Sequence, residues 1–368
     1  MNQTRARLAI WTAGLLLAVL LAAYLVPKIW RNVLPGAADT DAPLPSREAE
    51  IPRSPATTAS SNAADSYLAA MQILQPIHQP PDVDQYLRYE TKPFDDQASQ
   101  LFAKYEQAAG LARLAKDLPA CDWPEQSNET FGRLLNGNRM LTNFTLMHAR
   151  FVHQKQHNPT LAMEEIFSVL TLGRRVGTMP RLTTKLVEVG IETQAGNALA
   201  RLMPSLSPEQ LKTIPDRLNG LPQSLTPTEV FLGELNGASG NNPGLMQKSL
   251  SDSTGQFYKD IEPAWQQSPD EFAKTVDSVG GKLILNPMIK TISPSMKSLR
   301  NNLAAEQATF AMLVTAAGIL VRGDSAVAES RDPFGDGPFK YEKYPGSFNL
   351  TSKFQYKGKP LVLIVGGE

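Results

Sequence analysis

PTLAMEEIFSVLTLGRRVG, Pro159–Gly177, reads as one amphipathic helix with both ends marked. Proline lacks the N–H that a first helical turn leaves unsatisfied, and glycine commonly ends a helix. Between them Leu161, Ile166, Val169, Leu170 and Leu172 supply an apolar side. The flanks repeat the pattern. Thr130–His157 predicts a helix stopped by Asn158-Pro159, a third runs from Pro180 to Met203-Pro204, and Ser207-Pro208-Glu209 opens a fourth with an N-cap followed by N1 proline. Short Pro/Gly punctuation between long helices implies antiparallel hairpins packed side by side.

Further out, Asn62 is an N-cap candidate for NAADSYLAAMQIL, whose stripe is Tyr67, Leu68, Met71 and Leu74, and Phe94–Leu118 is a second helical stretch. Gly233 to Asp260 is weaker, and Gly237, Gly240, Asn241, Asn242, Pro243 and Gly244 read as a loop. Asp270–Val279 and Ile289–Val321 resume helix, with Phe310–Val321 too short an apolar run to span a bilayer. From Arg331 the character changes. Asp332-Pro333-Phe334-Gly335-Asp336-Gly337-Pro338 is dense in turn residues. Phe339-Lys340-Tyr341, Ser347–Thr351, Lys353–Tyr356 and Pro360–Val365 read as short strands, with Lys357-Gly358-Lys359 as a hairpin turn.

The N-terminus sets the location. Leu8 to Val26 carries no charge and would span ~28 Å as a helix, about the hydrocarbon thickness of a bilayer. Arg5 and Arg7 precede it; Tyr24, Lys28, Trp30 and Arg31 suit its far interface. An uncleaved anchor is expected over a cleaved signal, since Leu21-Ala22-Ala23 is a mediocre processing site. The basic residues before the span favour a cytoplasmic N-terminus slightly. Leu34 to Ser61, rich in proline and small polar residues, reads as a disordered tether.

Composition narrows the partners. Formal charge is zero over 368 residues, and setting aside the four cations before residue 35 leaves 32 basic against 36 acidic residues. Nothing there favours nucleic acid. Cys121 is the single cysteine, which excludes an internal disulfide.

The apolar N-terminus, the NAADSYLAAM start, the PTLAMEEIFSVLTLGRR and LVEVGIE helices, and the tail residues Asp332, Pro333, Phe334, Gly335, Pro338, Phe339 and Tyr341 resemble a group of single-pass membrane proteins of planctomycete-type bacteria. The likeness covers about two thirds of the chain by pattern, and it brings no catalytic residues with it. The tail alone also resembles that of type II secretion pseudopilins. Leu8–Val26 lacks the glutamate of a pilin helix, and Lys353-Phe354-Gln355-Tyr356-Lys357-Gly358-Lys359 stands where a calcium loop would need several oxygen ligands.

Candidate chemistry is sparse. His153 and His157 stand four apart, the spacing of zinc ligands on one helical face; His148 lies roughly 140° round from His153. Solvated histidines in a last helical turn are the plainer explanation. Glu188 and Glu192 share a face, with Lys185 a turn before, and a buried carboxylate there could act as general acid or base. Glu164, Glu165 and Glu234 could join them; a salt bridge to Arg174, Arg175 or Arg201 is the plainer alternative. Arg322-Gly323-Asp324 reads as a helix end with glycine at C′. The sequons at Asn128, Asn143 and Asn349 matter only in a glycosylating pathway. Phosphate-binding glycine loops, CxxC, HExxH and nucleophile elbows do not occur, so no cofactor is expected.

The sequence therefore predicts a mainly α protein: a transmembrane anchor (1–31), a tether (32–61), a helical-hairpin, solenoid-like domain (62–330) and a small antiparallel β tail (331–368). It would touch the lipid bilayer through residues 8–26 and present an extracytoplasmic surface to a protein or envelope partner. The predicted role is a non-enzymatic scaffold or binding module. A membrane-anchored hydrolase using paired carboxylates, or a secretion-system accessory, are the alternatives.

Overall fold

A computed structural model describes residues 61–75, 94–124, 128–239, 245–283 and 286–367. The expected anchor at 8–26, the tether before residue 61, and residues 240–244 of the expected loop lie outside them.

Helices come first: α1 (Ala63–Leu74), α2 (Asp96–Lys116), α3 (Asn128–Gln156), α4 (Pro159–Val176), α5 (Leu182–Leu202), α6 (Pro208–Asn219), α7 (Pro227–Ser239), α8 (Leu245–Ile261), α9 (Pro269–Lys282), α10 (Pro287–Arg322) and the short α11 (Ser325–Glu329). Three strands close the chain: β1 (Lys340–Tyr344), β2 (Ser347–Tyr356) and β3 (Lys359–Gly366), antiparallel in the order β1-β2-β3.

The helix ends follow from side chains. The Asn62 side chain accepts from the Ala64 N–H, and Asn158 from Leu161 N–H. Ser207 and Gln210 cap each other's backbone N–H groups, as do Ser268 and Glu271. Gly323 ends α10 at φ +80°, a left-handed conformation that costs glycine least.

Sequential neighbours α3, α4 and α5 pack on one another, and α4 contributes Ile166, Phe167, Val169, Leu170 and Leu172, all buried. The long helix α10 then returns across α5, α6 and α9 and also meets β2 and β3. These contacts reach far beyond nearest neighbours in sequence, unlike a stacked solenoid. By length and composition Ile289–Arg322 is apolar enough to cross a membrane, but 61% of its most apolar window is buried within this fold. The short run Phe310–Val321 lies within this helix, whose bounds agree closely with the expected Ile289–Val321.

A second core gathers Phe231, Phe257, Ile261, Phe272, Val276 and Leu299 from α7 to α10. Its helices α7 and α8 occupy most of the weaker stretch from Gly233 to Asp260, and α7 includes Gly237 of the expected loop.

The tail is knotted by Asp332. Its buried carboxylate accepts from the Phe334 N–H (3.0 Å), the Ser352 hydroxyl (2.8 Å) and the Lys353 N–H (2.6 Å), while its own N–H donates to the Gly337 carbonyl (2.9 Å). Ser352 and Lys353 sit inside the register shift between Thr351 and Gln355, so the two strands expected there are one strand with an irregularity. Both hairpins have two-residue loops: Pro345-Gly346 with Gly346 at φ +73°, and Lys357-Gly358 with φ +52° and +75°. The second has positive φ at both central residues, which suits right-twisted strands. Phe348, Leu350, Leu363 and Val365 face the helical core. The opposite face pairs Glu342 with Asn349 and Asn349 with Ile364, and pairs Thr351 with Val362. Val362, Ile364 and Tyr344 on that face are exposed.

Candidate functional site

Glu188 and Glu192 stand one turn apart on α5, pressed against α4 and α10, and both are fully buried. Arg174, near the end of α4, reaches all the carboxyls of this cluster. Its Nε is 2.6 Å from Glu192 Oε1, its Nη2 3.0 Å from Glu306 Oε1 on α10, and its Nη1 3.7 Å from Glu188 Oε1. Lys185 Nζ lies 2.8 Å from Glu188 Oε2 and donates to the Ser224 hydroxyl at 2.6 Å. The close contacts to Glu188 and Glu192 are charge pairs at short range without hydrogen-bond alignment. Close packing makes the cluster possible. A Cβ on Gly177 would fall 1.9 Å from Glu188 Oε2, so the carboxyl occupies the space that only glycine leaves.

The electrostatics follow from enclosure. Burial raises the Glu188 carboxyl above its ordinary range, against the pull of Lys185. Glu192 is raised further, because burial is joined by the repulsion of the neighbouring Glu306; Arg174 opposes both. Arg174 and Lys185 face three carboxyls, and the enclosure of Glu188 and Glu192 opposes ionisation of both.

The other acidic residues go elsewhere. Glu164 binds Arg217 with both oxygens (2.7 and 3.0 Å) and accepts from Lys116 (2.8 Å). Burial would raise its carboxyl, but those hydrogen bonds outweigh it and hold it below the usual range. Glu165, fully buried, accepts from Arg113 and sits 2.8 Å from His148 Nδ1, while His148 Nε2 lies 2.7 Å from Glu106. Arg113 Nη2 also meets Glu106 at 3.2 Å. The four side chains close a ring that ties α2 to α3 and α4. Its key spacing runs between two helices, which a search along one helix face does not detect. Arg175 donates to the Leu118 and Pro119 carbonyls instead of a carboxylate. The Glu234 side chain lies outside the described set.

The histidine pair is not presented as ligands on one face. Helix α3 ends at Gln156, and His157 is exposed with φ +52°, so it leaves the helical path that would have stacked it on His153. His153 Nε2 is 2.9 Å from the Ser205 hydroxyl. Among the described residues no group of three or more His, Cys, Asp or Glu side chains is placed to hold a metal ion. Burial pushes the half-buried Cys121 thiol up to about 12, despite Arg175 nearby, which leaves little thiolate at neutral pH.

A small recess opens away from the carboxylate cluster, between α3, α4 and α5 and beside Gly367, with a volume of about 60 Å³. Arg150, His153 and Arg201 line it.

Comparison with protein-family models, with curated proteins and with solved structures finds no match to this chain.

Proposed function

We propose that this protein is a membrane-anchored, extracytoplasmic scaffold or binding module. Residues 8–26 would hold it to a lipid bilayer, and its folded surface would meet a protein or other envelope component. The observation that carries this reading is the enclosure of Glu188 and Glu192. A general acid or base must come within hydrogen-bond reach of a substrate atom. Both carboxyls are fully buried, each is paired with a cation, and the recess is lined by other residues. Their arrangement supports a tie between α4, α5 and α10 in preference to a hydrolase. The turn-rich tail is accounted for by the Asp332 hydrogen bonds, which weakens the secretion-accessory alternative. The outer sheet face, with Tyr344, Val362 and Ile364 exposed, offers apolar contact area.

The test is cross-linking of the full-length chain in bacterial membranes, followed by identification of what co-purifies. A stoichiometric envelope partner, lost in Val362→Asp/Ile364→Asp, supports the reading. A clean monomer whose hydrolytic turnover falls in Glu188→Gln and Glu192→Gln overturns it.

A further inference from the structure

The β sheet is distinctive in both charge and polarity. Residues 339–367 hold five lysines and a single acidic residue, Glu342, in a chain whose formal charge is zero. Lys340 pairs with Glu342 at 2.9 Å, and Lys343 meets Asp324 at 3.4 Å. Lys353, Lys357 and Lys359 are exposed, the last two on either side of Gly358 at the hairpin end, and the Lys357 Nζ lies 5.1 Å from the centre of the Tyr356 ring. Directly paired residues of neighbouring strands share a face. The register therefore sets Lys340, Thr351 and Val362 in one row of the outer face, Glu342, Asn349 and Ile364 in the next, and Tyr344 with Ser347 in the third. Val362 and Ile364, both exposed, lie ~7 Å apart along β3. The other exposed large apolar side chains among the described residues, Leu114, Leu186 and Val314, stand on three different helices. A protein interface is short of lysine at its core and is anchored by tryptophan, tyrosine and arginine. A bilayer with anionic lipid meets both parts of this face. Its phosphates offer negative charge to the lysine ammonium groups, whose stems cover apolar surface. Aliphatic and tyrosine side chains enter its headgroup boundary. So few side chains bind a membrane weakly from solution, but an anchor in the same bilayer makes the step intramolecular, and weak contact then suffices.

We infer that the outer face of the sheet docks on a bilayer surface containing anionic lipid, with Val362 and Ile364 in the headgroup region and Lys357 and Lys359 against lipid phosphates. The inference rests on the anchored reading above, and names lipid as the envelope component that meets this face.

Trace acetylation of lysines, read by mass spectrometry, tests it on the full-length chain held in nanodiscs of phosphatidylcholine alone or mixed with phosphatidylglycerol. Labelling of Lys357 and Lys359 should fall about fivefold in the mixed discs, the effect of one lysine's attraction to an anionic surface. Lys104 and Lys212, exposed on helices, should label equally in both. High salt should abolish the protection by screening, and Val362→Asp/Ile364→Asp should abolish it at low salt. Equal labelling of Lys357 and Lys359 in the two lipids by a chain retained in the discs overturns this inference alone. So does protection that is the same in both lipids and in detergent, which would mean that a second copy or the chain itself covers the face. Capture of a protein through Val362 and Ile364 in native membranes, without lipid-dependent protection, gives the face to a protein, so the scaffold reading stands and this inference falls. A chain that does not stay with the discs overturns the anchored reading, and this inference with it.

Discussion

Replacing Arg174 with methionine removes a side chain that contacts Glu188, Glu192 and Glu306 together. Methionine keeps much of the apolar stem and none of the charge. Lys185, 2.8 Å from Glu188, then remains as a cation of the cluster. Breaking a buried ion pair by removing one partner costs ~3–5 kcal/mol. Two facts place this case at the lower end, about 3 kcal/mol: the Arg174 side chain is 21% exposed, and burial with Glu306 nearby already works against the Glu192 charge that Arg174 offsets. At ~2 °C per kcal/mol for a unit of this size, the melting temperature should fall by about 6 °C. Denaturant unfolding of the full-length protein, wild type and variant side by side, measures it. Adding Glu192→Gln should recover part of the loss, since it removes the residual carboxylate charge that Arg174 no longer offsets. A loss below about 1 kcal/mol, the size of an exposed salt bridge, would refute the idea that this cluster ties α4 to α5 and α10.

Further outcomes follow from the same geometry. Glu192 has a raised folded-state pKa, so the folded chain keeps a proton the unfolded chain releases; that contribution is present at low pH and is lost as pH rises from the unfolded value of ~4.3 through the folded one. Glu192→Gln should therefore gain stability relative to wild type as pH rises, measured by unfolding at several pH values. Glu164 is lowered, so its contribution holds above the unfolded pKa and disappears as pH falls; Glu164→Gln should flatten the acid limb of the same curve. Gly177→Ala drives a methyl into Glu188 and should cost ~1–3 kcal/mol by overpacking. In a Glu188→Ala background the same change should cost less, a coupling that a double-mutant cycle reads directly. Cys121 should resist iodoacetamide in the folded protein at pH 8 and react once unfolded, as counted by mass spectrometry.

Local chemistry was legible in the sequence, and contacts between elements were not. Asn62, Pro159, Ser207 and Gly323 each act on the backbone next to them, so their capping roles can be read from adjacent residues. Helix α7 was harder to see because its reason lies far away. Gly233 opened a stretch whose helical pattern is weaker, yet a Cβ there would fall 2.3 Å from Pro180 Cβ, so glycine serves a close approach of two segments. Helix α8 depends on Phe257 and Ile261 meeting Phe231, Phe272 and Leu299 from other helices. Glu188 and Glu192 were correctly placed on one face, with Arg174 among their possible partners. Glu306 was missed because it arrives on α10, distant in sequence. The Glu165–His148 contact was missed for a similar reason: it crosses a hairpin, and neither residue stands out on its own helix.

The account's central claim is that Glu188 and Glu192 serve the fold while the surface serves binding. Cross-linking of full-length Glu188→Gln/Glu192→Gln in membranes, with its unfolding free energy measured on the same preparation, separates the two roles. The account predicts altered stability with capture of the envelope partner intact. Unchanged stability together with loss of capture, or of any turnover found in the wild type, would contradict it.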